Sequence, residues 1–79
     1  MAVIPLNRMD RGESGRIVGI LGGHGIVRRM ESMNIRVGKR ITKLSSIFRR
    51  GPITIGLDNT RVAFGFGMAS KILVEVQDR

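Results

Sequence analysis

Residues 21–25, Leu-Gly-Gly-His-Gly, hold the types that most often signal chemistry: three glycines packed around the chain's only histidine. A phosphate cradle would need G-x-G-x-x-G, or two glycines four residues apart followed by Lys and Ser or Thr, and neither is present. Gly22, Gly23 and Gly25 lie between a strand pattern and a helix start whose free N–H groups could hold an anion, yet a tight turn alone demands glycine there. His24 is a weak metal candidate. No carboxylate lies within five residues of it, so a metal shell would have to be assembled from Asp10, Glu13 or Asp58, far away in sequence. Cysteine is absent, and the six carboxylates form no pair that could take acid and base roles. No cofactor, no metal and no catalysis are expected.

Charge points elsewhere. Fourteen Lys and Arg against six Asp and Glu give a net charge of +8, which favours anionic partners such as nucleic acid, phosphate groups or an acidic protein face. Arginines double up at Arg28-Arg29 and Arg49-Arg50, the second pair beside Phe48. Nucleic acid is the alternative partner, because small basic barrels hold single strands by charge plus base stacking. Platforms for stacking are scarce: Trp and Tyr are absent, and Phe64 and Phe66 alternate onto an apolar strand face.

These side chains must be carried by short elements. The 79 residues allow one domain, 1–79, and the absence of cysteine makes the reducing cytosol its natural compartment. No apolar run approaches the roughly 18 residues of a membrane span, and no signal-peptide order is seen at the start. Val3 to Leu6 reads as a strand whose Pro5 suits an edge or an end. Residues 16–21 form a β-branched run with Val18 and Ile20 on one face and Ile17 and Leu21 on the other. Residues 39–48 are extended with mixed faces, which predicts a bulge or bend. Ile53, Ile55 and Leu57, then Asp58-Asn59, then Val62, Phe64 and Phe66 predict a hairpin. Ile72, Val74 and Val76 predict a last strand. Several short strands at near-regular spacing argue for a small closed or nearly closed β-barrel, mainly β in class.

Between the strands, Ile26, Val27, Met30 and Met33 form one helical stripe, with Arg28, Arg29, Glu31 and Ser32 opposite. A helix over about 24–33 is predicted to cover one end of the barrel, ending at Asn34 in a positive-φ cap with Ile35 as its apolar contact. A short helical turn is expected near 67–70. The exposed helix face Arg28, Arg29 and Ser32 and the adjoining loop Arg49 and Arg50 are then the candidate partner-binding residues.

Compared end to end, the chain resembles the ferrous iron transport protein A family, FeoA. The resemblance is collinear from Ile4 to Val76. It runs through Pro5-Leu6 with Gly12-Glu13-x-Gly15, Ile17 to Gly23, Arg29 with Met33, Ile35 and Gly38, Gly51 to Ile55, and Ala63 to Val74. Where the family usually has a Gly before the Ile, this chain has Asn34, which tolerates the same conformation. Met30 stands for the usual Leu. The resemblance implies an SH3-like barrel with an added helix, cytoplasmic and without enzymatic activity. It further implies an adaptor docking on the cytosolic GTPase domain of the FeoB ferrous iron transporter, and so peripheral to the inner membrane through that partner. A similar module forms the C-terminal domain of some metal-dependent repressors. An SH3-like groove could also pair weakly with a second copy.

Overall fold

The structure, a computed structural model, describes residues 1–46 and 51–77. Six strands, β1 (Ala2–Pro5), β2 (Ser14–Ile20), β3 (Arg40–Ser46), β4 (Ile53–Leu57), β5 (Thr60–Phe64) and β6 (Ile72–Val76), form one antiparallel sheet in the order β1-β6-β2-β3-β4-β5. Helix α1 (His24–Ser32) links β2 to β3, and the single turn α2 (Phe66–Ala69) links β5 to β6. Both were expected, with ends within a residue or two.

The inward face of each strand follows from residue alternation. In β4, Ile53, Ile55 and Leu57 are buried while Thr54 and Gly56 are not; in β6, Ile72, Val74 and Val76 are buried while Leu73 and Glu75 are half-exposed. Ile17 and Ile41 join them from β2 and β3, and Leu6, Met9, Met30 and Ile35 close the core from the connections. The mainly β class is therefore what the strand pattern dictates, while the SH3-like architecture is what the family resemblance implies. Among the described pairings none joins β1 to β5, so these two short strands are the sheet's edges. Pro5 ends the edge strand β1, where its missing N–H costs no central ladder bond.

Three local expectations are corrected. In β2, the register with β6 slips between Ile17 and Gly19. Val18 is the extra residue of this bulge, so Ile17 and Ile20 both turn towards the core while Val18 and Leu21 face outwards. Simple alternation had paired Ile17 with Leu21 and Val18 with Ile20. At the start, Leu6 leaves the strand for a 3-10 turn, Leu6–Arg8, which drops it into the core. At the other end, β5 stops at Phe64, because Gly65 opens α2 and Phe66 begins it. The bulge foreseen in residues 39–48 is present in β3, where the register with β4 shifts between Lys43 and Ser45.

The end of α1 is a Schellman cap. Asn34 has φ 64, its N–H donates to the Glu31 carbonyl at 3.0 Å, and the Ile35 N–H donates to the Met30 carbonyl at 2.9 Å. Ile35 is fully buried and supplies the accompanying apolar contact. The Asn34 amide also donates to Asp58 Oδ2 at 3.0 Å, and Lys39 Nζ reaches the same oxygen at 3.1 Å. Asp58 itself sits at φ 54 in the β4–β5 turn. One carboxylate thus ties the helix end to the hairpin. Because both partners are exposed, the clamp is expected to contribute no more than about 1 kcal/mol. Urea unfolding should show Asp58→Gly costing that much or less, and Asp58→Ala about 1 kcal/mol more, since alanine resists positive φ.

Among the described residues, one charge is buried. Lys43, on β3, is 5% exposed and donates from Nζ to the Met9 carbonyl at 2.6 Å and, more weakly, to the Asn7 carbonyl at 3.5 Å. Desolvation pulls its pKa below the ordinary lysine value, opposed by the nearby Asp10 and Glu13. Backbone bonds between Lys43 and both Gly12 and Glu13 hold the same loop against β3.

Candidate docking surface

Helix α1 presents its candidate residues because of where its apolar stripe goes. Met30 is driven into the core at 1% exposure, and Ile26, Val27 and Met33 are half-buried on the same side. Arg28, Arg29 and Ser32 are left exposed on the opposite side, as the 3.6-residue period required. Ser32 is partly engaged at home: its Oγ donates to the Arg29 carbonyl at 2.7 Å, which satisfies one of the helix's terminal carbonyls. Arg29, in the last turn, is also well placed for the negative end of the helix dipole. No carboxylate among the described residues pairs with Arg28 or Arg29. Arg49 and Arg50, with Phe48, lie outside the described residues.

Beside this face lies a groove of about 200 Å³, lined by Arg29, Met30 and Met33 from α1, Ala63 and Phe64 from β5, and Gly65 and Met68 at α2. The sequence pointed to the two helix methionines but not to Met68, which topology brings across from the far end of the hairpin. Charge is not confined to this side. Arg16 and Arg40 are direct cross-strand partners on β2 and β3, bordering a second depression with Glu75.

The metal reading gains nothing from the geometry. His24 is the exposed first residue of α1, and its preceding Gly23 caps the helix without a side-chain bond. The carboxylates that could have joined it are occupied elsewhere: Asp58 holds Asn34 and Lys39, and Glu13 accepts from the Asp10 N–H at 2.9 Å. Among the described residues, no three His, Asp or Glu side chains converge as metal ligands. Base stacking fares similarly, because Phe64 and Phe66 are half-buried against the core.

A basic helix on a small antiparallel barrel is a common enough arrangement that comparison must decide the family. The FeoA domain family matches residues 4–76 of this chain, the span over which the sequence resemblance runs. The chain belongs to the FeoA family. A Methanocaldococcus jannaschii relative, provisionally named Fe(2+) transport protein A, is 32% identical over 71 residues, covering 90% of this chain and 84% of the relative. A crystal structure of the iron uptake regulatory protein FeoA superposes with a TM-score of 0.87 at 36% identity, covering 98% of this chain and all of the other. FeoA from Stenotrophomonas maltophilia, described as a prokaryotic SH3 domain protein, matches with a TM-score of 0.76 at 18% identity over 89% of this chain and 87% of that one. This last similarity shows the fold alone. The FeoA family ties the chain to ferrous iron transport, and no helix among its described residues is long and apolar enough to cross a membrane.

Proposed function

We propose that this chain is a non-enzymatic cytoplasmic adaptor that docks on the cytosolic GTPase domain of a FeoB-type ferrous iron transporter through α1. The observation that carries the proposal is the consecutive pair Arg28 and Arg29, both exposed on α1 with no carboxylate of their own among the described residues. Family membership supports the transport context, and the relative's name does the same. Arg49 and Arg50 extend the proposed surface by sequence. Membrane association is proposed to occur through the transporter alone.

Exposed arginines meeting an acidic surface set association rate and specificity, and their effect weakens as salt rises. Docking of the labelled chain to the transporter's GTPase domain should therefore slow with added salt. The double substitution Arg28→Glu and Arg29→Glu should weaken docking by at least about tenfold, mostly in the association rate, with the circular dichroism unchanged. Undiminished docking of a folded double variant would remove α1 from the interface.

A further inference from the structure

The groove beside α1 has a feature that charge alone does not account for: beside its polar surface, most of the side chains that line it are apolar. Three of the chain's five methionines, Met30, Met33 and Met68, meet there with Phe64 at the end of β5. Methionine is the side chain that best adapts to differently shaped occupants, and it recurs on surfaces that accept more than one partner. The groove's volume, about 200 Å³, exceeds the roughly 150 Å³ that suffices to hold a benzene-sized group in a protein. Arg29 lines it, Arg28 is exposed one residue earlier on α1, and neither has a carboxylate among the described residues. Along its other side runs β5, an edge strand whose outer backbone groups have no ladder partner among the described pairings.

We infer that this groove is a receptor for an acidic segment of the partner, one apolar side chain entering between α1 and β5 while flanking carboxylates engage Arg28 and Arg29. The inference rests on the adaptor reading for its partner but names a different contact, burial of an apolar anchor. Charge decides among occupants. A second copy of the chain carries the same +8 and meets this basic rim with like charge, whereas an acidic segment gains on both counts. Anchors of this type dominate binding energy when a ring of weaker contacts keeps water out, the role left to the arginines.

The test uses the full chain labelled at the methionine methyls and titrated at about 0.15 M salt. The probe is a synthetic peptide of about twelve residues with one leucine among glutamates, and its control has serine for leucine. Met33 and Met68 signals should shift and saturate, while that of Met1, which borders the other depression, stays in place. The serine peptide should bind at least about tenfold more weakly, the usual worth of a buried leucine. Ala63→Glu, an exposed site on the groove wall, should abolish the shifts without altering the circular dichroism. Still Met33 and Met68 signals at millimolar peptide would overturn the inference. So would equal binding of the serine peptide, or the same shifts from a thymidine oligonucleotide. Titration with the transporter domain separates the two readings: docking that leaves Met33 and Met68 unmoved ends the groove proposal and spares the adaptor. Peptide binding without any transporter docking does the reverse.

Discussion

A Gly15→Ala variant is expected to lose about 3 kcal/mol of stability, the upper end for forcing one methyl into a packed interior. Gly15 is buried in β2 where that strand presses on β6, and an added Cβ would lie 2.5 Å from both the Glu75 carbonyl oxygen and Val74 Cγ1, with Val76 Cγ1 at 3.1 Å. Two of these are side chains fully buried in the core, and the third is backbone in the sheet's interior, so none can yield cheaply. The stiffer unfolded chain would return at most about 1 kcal/mol. A 79-residue domain has only about 4–12 kcal/mol to lose. The melting midpoint should fall by roughly 10–20 °C. Gly67→Ala, within α2 with nothing inside 4 Å of the new methyl, should leave the midpoint unchanged or raise it slightly. If Gly15→Ala melts like Gly67→Ala, β2 and β6 do not approach as closely as described.

Lys43→Met is expected to cost about 2–3 kcal/mol at neutral pH, because the stem's packing is kept while the Met9 carbonyl loses a charged donor at 2.6 Å. The stronger check is its pH dependence. Burial lowers the Lys43 pKa, so between that lowered value and 10.5 the unfolded chain holds a proton that the folded chain has released. Stability rises with pH wherever the unfolded state binds more protons. The gap between the parent and Lys43→Met should therefore be flat at neutral pH and widen as pH climbs through the lowered pKa towards 10.5. A gap that narrows there would mean that Asp10 and Glu13, which favour the charged form, outweigh burial.

Periodicity revealed most of the barrel because most of its strands bury one face: Ile53, Ile55 and Leu57, or Ile72, Val74 and Val76, repeat every second residue and each set is inside. Where that repeat breaks physically, reading by pattern failed. The bulge at Val18 exchanges the faces of the residues after it, and nothing in a β-branched run marks which residue is extra. Leu6 and Met9 reach the core from a turn, without any period at all. No local pattern marks Lys43 as inward; its burial depends on carbonyls from a loop more than thirty residues earlier. Of the candidate surface, the exposure of Arg28, Arg29 and Ser32 was legible because a helix stripe with Met30 inward leaves them nowhere else to go. The groove was not. Its second wall comes from Ala63, Phe64, Gly65 and Met68, brought to α1 only by tertiary packing.

The sheet order places the last strand in sequence, β6, between the first two, β1 and β2. A chain emerging from the ribosome therefore has no partner for β1, and one bare side on β2, until residues 72–76 have been made. Synthesis from the N-terminus lets β2 to β5 pair in order, but β1 cannot join them and the sheet cannot be completed until β6 has been made. Premature termination or a nick shortly before Ile72 would remove not a margin but the strand that joins β1 to the rest of the sheet.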